Sequence, residues 1–301
     1  MHRSLLTIEE PRLFNFWSTV NSHGWSDLAP FLIDKDRQSI EVTLRLARHR
    51  LVSVRLSAPS KRIQAELRSS ALLTVADKHQ VGRIVRDFLR MDEDYRPFYA
   101  MVRGHPSYRW VIGKGAGRLM RAASVFEDVV KMICTTNCNW SLTKSMTNNL
   151  VNLLGEEWKG FRAFPTPEAL AGVSEKFVRA EIRAGYRSPF LIEFAQRVAS
   201  HKLDVESWRK VPLTSEELSK NLRSIKGVGE YAAGNLMRLL GHYDAMAFDS
   251  WVRAEFYKKH KNGRRVSDKT ITKHYAEFAE WKGLFFWVDM TEDWFKKKLP
   301  F

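Results

Sequence analysis

A glycine-containing turn followed by a single acid is the most chemically suggestive feature of this sequence. Residues 222–253 read LRSIKGVGEYAAGNLMRLLGHYDAMAFDSWVR, in which Gly227, Val228 and Gly229 separate two helical patterns. Glycine lets the backbone turn tightly and approach another molecule closely. A helix that begins there presents unpaired N–H groups and a positive dipole end, which suit a phosphate. Asp249 follows Gly229 by 20 residues, so the segment predicts a backbone-binding turn with one carboxylate at a set distance.

Each feature also has an ordinary structural interpretation. A glycine-containing turn between helices is usually only a turn, and an aspartate before a helix is more often an N-cap than a catalyst. The flanking residues predict the helices themselves, because Thr214 with Glu217 forms a capping-box pattern and Gly241 is typical just past a helix end. Neither feature alone indicates a function, whereas their order and spacing together do.

Composition narrows the binding partners. The 301 residues include 49 Lys and Arg against 34 Asp and Glu, a formal charge of +15. So basic a chain favours a polyanion, with nucleic acid as the first candidate and a membrane surface as the weaker one. No apolar run reaches the ~18 residues of a membrane-spanning helix. Cys134 and Cys138 are the only cysteines, too few for a four-cysteine zinc site or an iron–sulfur cluster.

The elements that must position these residues indicate an α+β fold. Apolar and polar residues alternate over residues 40–47, 52–56 and 63–67, which predicts an antiparallel sheet with one apolar and one charged face. Asp77 is expected to cap the helix that follows the sheet. The start MHRSLLTIEEPRL lacks the apolar core of a signal peptide, so export is not expected.

The rest of the chain is helical in pattern. Ser124 with Glu127 predicts a second capping box, and the helix that it starts runs into a polar stretch, TTNCN. We therefore expect two domains: an N-terminal antiparallel β-sheet plus helix domain over residues 1–110, and a helical domain over residues 111–301.

Several segments match one known family in residue type and spacing. They are IKGVGEYAAGN followed by FDSWVR, FEDVVKMICTTNCN, AGYRSPF, YAEFAEWKGLFFW and, near the start, FWSTVNSHGW. On these motifs the chain resembles the helix-hairpin-helix DNA glycosylase superfamily over most of its length, and in particular its 3-methyladenine and 8-oxoguanine branches. The resemblance implies an N-terminal antiparallel sheet domain followed by an all-helical glycosylase domain, with the hairpin at residues 225–230.

Three positions depart from the family pattern. Tyr231 stands where bifunctional members carry a nucleophilic lysine, and a neutral phenol cannot form a Schiff base with the sugar. The resemblance therefore implies a monofunctional enzyme. Lys226 replaces the usual proline and is expected to contact phosphate, together with the hairpin residues Gly227, Val228 and Gly229. Leu142 aligns with the family's opposite-base arginine, so recognition of cytosine opposite the lesion is not implied.

The resemblance also implies roles for individual residues. Asp249 would stabilise the positive charge that develops on the sugar and orient the attacking water. Asn137 would fill the gap that a flipped base leaves, although a helix C-terminal cap is its equally plausible role. Arg187 would reach the partner strand, with a surface arginine as the alternative.

The expected base pocket is aromatic, because flipped bases are held by stacking. Its candidate residues near the motifs are Tyr231, Trp251, Trp281 and Phe285. The family hairpin also implies a monovalent cation bound by backbone carbonyls. By alignment these carbonyls belong to Arg223, Ile225 and Val228. No cofactor is expected to be required.

These inferences predict a base-excision repair glycosylase that acts as a monomer on double-stranded DNA containing a damaged base. The predicted reaction is hydrolysis of the N-glycosidic bond of an alkylated or otherwise modified purine. The expected location is the cytoplasm or nucleoid of a bacterium, or the nucleus of a eukaryote. Two alternatives remain open: a non-catalytic protein that binds damaged DNA, and a bifunctional glycosylase/lyase with a displaced lysine. The sequence does not name the lesion.

Overall fold

The computed structural model describes residues 1–296, which form an N-terminal antiparallel sheet followed by helices, and the predicted α+β class is confirmed. The five strands are β1 (His2–Glu9), β2 (Leu32–Asp34), β3 (Ser39–Leu46), β4 (Arg50–Ser57) and β5 (Arg62–Ser69). Their order in the sheet is β1-β5-β4-β3-β2. The three strands predicted from alternation are the central ones. The edge strands β1 and β2 were not predicted, since β1 is largely exposed and β2 has only three residues.

Both faces of the sheet are covered. The apolar face forms one hydrophobic core with the helix that follows the sheet. On the charged face, Glu41 is buried and accepts from Ser53 Oγ at 2.7 Å, while Arg55 Nη2 lies 2.9 Å from its second oxygen. The Phe161 ring contacts this face, with its centre 5.7 Å from the Arg68 guanidinium, and Ala163 forms a parallel bridge with Thr43 at the edge of β3. The predicted charged face is therefore a partly buried polar layer.

Fourteen α-helices lie in the described part of the chain. They are α1 (Phe16–Val20), α2 (Val75–Phe88), α3 (Arg96–Gly104), α4 (Arg109–Lys114), α5 (Val125–Thr135), α6 (Trp140–Leu154), α7 (Pro167–Ala171), α8 (Glu175–Ala180), α9 (Ser188–Ala199), α10 (Ser215–Arg223), α11 (Glu230–Leu239), α12 (Ser250–His260), α13 (Asp268–His274) and α14 (Lys282–Lys296). A short hairpin of β6 (Glu157–Trp158) and β7 (Phe161–Arg162) follows α6.

The helix starts test the capping predictions. Thr214 and Glu217 form the predicted capping box at α10. At α2 the N-cap is Thr74. Asp77 is the third residue of the helix and the reciprocal partner of Thr74 in a capping box, rather than the cap itself. At α5 the hydroxyl of Ser124 accepts from a backbone N–H as predicted. Its expected reciprocal partner, Glu127, instead pairs with a buried lysine of the same helix.

Two hydrophobic cores divide the molecule. The first joins the sheet to α2, and the second joins the helices. Residues before position 110, among them Tyr95 and Phe98, pack in the second core. The division at residues 110 and 111 stays a prediction. None of the described helices combines the length and apolar character needed to cross a bilayer.

Candidate active-site cavity

A cavity of about 1140 Å³ lies between the hairpin and the helices that surround it. Its lining comes from segments far apart in sequence, and it includes the predicted acid Asp249. The principal lining residues are His23, Gly24, Trp25, Asn137, Tyr186, Arg223, Ile225, Lys226, Gly227, Val228, Gly229, Tyr231, Asn235, Arg238, Asp249, Trp251, Trp287 and Trp294. The fold therefore brings the hairpin, the polar loop after α5 and the acid before α12 to one concave site.

The hairpin joins α10 to α11 through a turn that requires glycine at one position. Gly227 has φ +86°, and a Cβ built there would lie 2.8 Å from the ring of Phe190. Val228 is buried and donates its N–H to the Ile225 carbonyl at 3.0 Å. Gly229 has an ordinary φ and no atom within 4 Å of an added Cβ. Gly227 is thus required by the turn itself, whereas Gly229 leaves open space in front of α11.

The outer surface of the hairpin is exposed and basic. The side chain of Lys226 is 66% exposed, and its Nζ lies 2.7 Å from Glu193 Oε2. Gly229 is the exposed N-cap of α11, so the first N–H groups of that helix point outward without a side-chain cap. Unpaired N–H groups at a helix start beside a lysine suit an anion.

Asp249 is the N-cap of α12 and also lines the cavity. Its Oδ1 accepts from the backbone N–H of Val252 at 2.8 Å, and the residue is half-buried. A capping carboxylate keeps a second oxygen for other partners. The ordinary and the functional interpretations of this residue are therefore compatible, because one oxygen anchors the helix and the group still faces the cavity.

Tyr231 lies next to the acid. It is half-buried, and burial together with the nearby Asp249 carboxylate raises the pKa of its phenol to about 12. Tyr231 is thus a neutral hydroxyl at physiological pH. The described cavity wall holds a single lysine, Lys226, at its rim.

Tryptophans form the aromatic wall of the cavity, but only one of them was predicted. Trp251 is 36% exposed, and its ring centroid lies 5.3 Å from that of Trp294 and 6.2 Å from that of Trp287. Trp287 and Trp294 are seven residues apart on α14 and thus share one face of the helix. That spacing in the sequence was the signal that could have identified them.

Trp281 and Phe285, also predicted as base contacts, do not line the cavity and need correction. Trp281 stacks on Tyr243 at 4.9 Å, and Phe285 stacks on Phe278 at 3.8 Å. Both belong to the hydrophobic core of the helices. Because both side chains pack in this core and not in the cavity wall, a flipped base in the cavity would not touch them.

Arg187 also needs correction. It is 4% exposed, it donates to the carbonyl of Thr136, and its guanidinium lies 4.5 Å from the centre of the Tyr186 ring. It is therefore neither a surface arginine nor extended towards a partner strand. Asn137, by contrast, is exposed at the cavity rim with φ +46°, just past Thr136, the C-cap of α5. Arg187 thus fixes the loop that presents Asn137.

Two further cavity residues were not predicted. His23 is half-buried, with its Nε2 2.5 Å from the Met120 carbonyl, and burial lowers its pKa to about 4. Arg238 is 3% exposed, and burial lowers its pKa to about 10. Nothing in the local pattern around either residue marks it as a cavity residue, because both depend on long-range packing.

A second polar cluster lies outside the cavity lining. The ligand atoms of His260, His274 and Asp289 all lie within 4.8 Å of one another, as metal ligands would. However, Asp289 already accepts from the Tyr275 hydroxyl at 2.5 Å and pairs with Lys259. A lysine ammonium beside the carboxylate opposes a metal cation, so the cluster is better explained as a hydrogen-bonded ion pair.

Comparisons with known proteins agree with this geometry. No family model matches the sequence. A DNA-3-methyladenine glycosylase of Bacillus subtilis is 24% identical over 212 residues, which cover 68% of this chain and 69% of that protein. The 3-methyladenine DNA glycosylase of Archaeoglobus fulgidus superposes with a TM-score of 0.74 at 19% identity, covering 96% of this chain and 99% of that one.

A third similar protein is an 8-oxoguanine glycosylase/lyase from Clostridium acetobutylicum. Its unbound form has a TM-score of 0.70 at 18% identity, covering 95% of both chains. The same enzyme has been solved with DNA containing cytosine opposite 8-oxoguanine, with a TM-score of 0.65 at 19% identity, covering 90% of this chain and all of that one.

The similar proteins are DNA glycosylases, and the class of protein that they support for this chain is a DNA N-glycosylase. The resemblance to helix-hairpin-helix DNA glycosylases inferred from the sequence motifs is confirmed by these similar proteins. The similar proteins divide between glycosylases and glycosylase/lyases, and between two kinds of base.

Proposed function

We propose that this protein is a monofunctional DNA glycosylase of base-excision repair, which flips a modified purine and hydrolyses its N-glycosidic bond. Alkylated purines are one class of such bases. The observation that carries the proposal is the pair of Asp249 and Tyr231 in one cavity, an acid beside a neutral hydroxyl.

Asp249 performs the central chemical role. Cleavage of the bond leaves positive charge on the sugar, and a nearby carboxylate stabilises that charge. The same group orients or deprotonates the attacking water. Because Val252 N–H holds one carboxylate oxygen at 2.8 Å, the side chain is fixed before substrate arrives. Fixing the group in advance avoids reorganisation during the reaction.

The absence of an amine beside the acid supports hydrolysis without strand cleavage. A lyase step needs an amine that attacks the sugar, and Tyr231 provides a phenol whose pKa is about 12. Lys226, at the cavity rim, pairs with Glu193 on the outside of the hairpin. The expected product is therefore an intact abasic site.

The remaining assigned residues would hold the DNA. Lys226 and the N–H groups that begin α11 face outward at the hairpin, where they would contact one phosphate through Gly227, Val228 and Gly229. Asn137, exposed at the rim, would fill the gap left by the flipped base. Trp251 stands at the cavity mouth as a stacking surface.

A monovalent cation at the hairpin is part of the proposal. The carbonyls that would hold it belong to Arg223, Ile225 and Val228. The Ile225 oxygen already accepts from Val228 N–H at 3.0 Å, and a carbonyl has a second lone pair for an ion. The residues therefore fit such an ion, which would supply positive charge beside the bound phosphate.

We further propose that the protein acts as a monomer on double-stranded DNA. The basic charge of +15 and the hairpin support DNA as the partner, and the C. acetobutylicum enzyme is bound to DNA in one of its structures. The corresponding location is the cytoplasm or nucleoid of a bacterium, or the nucleus of a eukaryote.

Two measurements test the proposal. Purified protein is incubated with duplexes that carry alkylated, deaminated or oxidised bases, and release of free base is followed with and without alkali. Monofunctional activity predicts strand breaks only after alkali. Borohydride is then added during turnover. A trapped covalent adduct would show that a lysine attacks the sugar, and binding of damaged duplexes without release of any base would favour the non-catalytic alternative.

A further inference from the structure

A buried arginine lies in the cavity wall with no assigned role. Arg238, on α11, is 3% exposed and lines the same cavity as Asp249 and Tyr231. Its guanidinium carbon lies 4.9 Å from the centre of the Trp287 ring. A cation therefore lies over one face of a tryptophan in the cavity wall.

The hydrogen-bond partners of Arg238 do not neutralise its charge. Nη2 donates to Asn235 Oδ1 and Nη1 to the Gly283 carbonyl at 3.4 Å, whereas the buried Nε has no hydrogen-bond partner. Burial lowers the pKa of Arg238 to about 10, with Tyr231 and Asp249 acting in the opposite direction, so the group stays charged at neutral pH. Burying a charge whose donors are incompletely paired is unfavourable, which indicates a role beyond packing.

We propose that Arg238 determines which bases the cavity accepts: neutral bases that offer a carbonyl oxygen, and not purines that alkylation has made cationic. The inference rests on the proposed glycosylase activity. It restricts the proposed substrates from modified purines in general to the neutral ones. It also distinguishes between the two kinds of base named in the similar proteins.

Hydrogen-bonding capacity supports the first half of this selectivity. A guanidinium has five N–H donors and no acceptor. It can therefore donate to a carbonyl oxygen of a base, but it cannot accept from an N–H group of a base. Asn235, one turn earlier on α11, accepts a hydrogen bond from Arg238 and holds the guanidinium in place. A carbonyl on the flipped base would supply the acceptor that the arginine lacks.

Charge supports the second half. A cationic purine would bring a second positive charge into the cavity beside Arg238, and like charges repel. Such a base would normally gain from stacking on tryptophan, but the guanidinium already occupies the Trp287 face. His23 adds no charge, since burial keeps its pKa near 4.

Normal guanine and thymine also carry carbonyl oxygens. They are protected at an earlier step, because a well-paired base resists flipping more than a damaged one. Arg238 would therefore act on bases that have already left the duplex, after pairing has been tested.

The test compares three duplexes, containing 8-oxoguanine, hypoxanthine or cationic 7-methylguanine. Single-turnover release of each base is divided by the spontaneous loss of that base from the same duplex, because a cationic purine leaves more readily by itself. The variants are Arg238→Met, which removes the charge, and Arg238→Lys, which keeps it. Arg179→Met is the matched control, since Arg179 is an exposed arginine that pairs with Glu175 outside the cavity.

The wild-type protein is expected to accelerate release of at least one of the two neutral bases about tenfold more than release of 7-methylguanine. Arg238→Met should lose this preference, whereas Arg238→Lys and Arg179→Met should keep it. A wild-type preference for 7-methylguanine would overturn the proposal, as would an unchanged preference in Arg238→Met. If Arg238→Met does not fold, a wild-type preference for 7-methylguanine, or a lost preference in Arg238→Lys although that variant keeps the charge, would still overturn the proposal. Wild-type protein that releases no base from any lesion duplex would instead refute the proposed activity.

Discussion

The hairpin and the inner wall of the cavity both belong to α11 and its start, but they differ in exposure and charge. At the hairpin, Gly229 and Lys226 are exposed, and the free N–H groups of the helix point outward. In the first turn of the helix Tyr231 faces Asp249, and two turns after Tyr231 the side chain of Arg238 is buried against Trp287. One helix therefore presents an exposed end, the proposed phosphate site, to the solvent and a buried side, the proposed base site, to the cavity.

This difference separates affinity from selectivity. Contacts to phosphate hold any duplex alike, whereas contacts inside a cavity distinguish one base from another. Changes at the hairpin should therefore alter binding of all duplexes to the same degree. Changes in the cavity should alter turnover or base choice and leave binding intact.

The largest expected effect is that of Asp249→Asn. Asparagine is also a good N-cap and can still accept from Val252 N–H, so the fold and DNA binding should be kept. Base release should fall by about 10³-fold or more, because the charge on the sugar loses its counter-charge. Single-turnover kinetics on a lesion duplex, with a thermal melt as control, measure this. Near-normal turnover would remove Asp249 from the mechanism.

Acid should weaken the cavity wall through His23. Its folded pKa is about 4 and its ordinary value is 6.5, so the unfolded chain binds the extra proton first. Above pH 6.5 this residue should not change the free energy of unfolding. As the pH drops from 6.5 towards 4, it should lower that free energy by about 3 kcal/mol in total. Urea unfolding of wild type and His23→Gln across this range isolates the contribution. A His23 ring that titrates near 6.5 by NMR would contradict it.

The two hairpin glycines should differ in stability but not in their effect on DNA. In Gly227→Ala the added methyl group would clash with Phe190 at a residue with positive φ, so both the melting temperature and DNA binding should fall. In Gly229→Ala the added methyl group meets no protein atom, so the melting temperature should not change. Both should weaken binding of damaged and undamaged duplexes alike, by about tenfold or 1.4 kcal/mol. Fluorescence anisotropy over a salt series checks this. Normal binding by both variants would mean that the hairpin is only a turn.

The smallest expected effect is a gain of function. Tyr231→Lys places an amine beside Asp249, and burial would lower the pKa of that amine enough to free its lone pair. We expect weak lyase activity and some borohydride-trapped adduct. Tyr231→Phe is the matched control and should not be trapped. Efficient trapping of the wild-type protein would refute the monofunctional assignment. Lys226 would then be the first candidate for the nucleophile.

Local pattern was sufficient for the parts of the molecule that depend on near neighbours. Alternation identified the central strands, and the Thr214 capping box is present at α10. The turn at Gly227 needs a positive φ, which the sequence indicated by glycine itself. The roles of these residues in binding and catalysis stay predictions. Each structural feature was predictable because its cause lies within a few residues of it.

The direction in which a side chain points was not predictable in the same way. The resemblance included the aromatic segment YAEFAEWKGLFFW, but it did not show that Trp287 faces the cavity while Phe285 faces the core. That choice depends on contacts with distant segments, such as the hydrogen bond from Trp287 Nε1 to the Ser22 carbonyl at 3.0 Å. The same holds for Arg187, which is buried because it binds the Thr136 carbonyl.

The sequence by itself thus determined the glycine-containing turn, the acid 20 residues after it and the tyrosine at position 231, because residue identity and local spacing define them. Only the tertiary structure decided that Arg238 is buried beside Asp249. An arginine on a helix is ordinarily solvated, and whether it is enclosed depends on which elements pack over it. Here α14 covers it, and α14 lies more than forty residues further along the chain. The charge of the cavity, and with it the proposed choice of base, therefore follows from packing between segments distant in sequence.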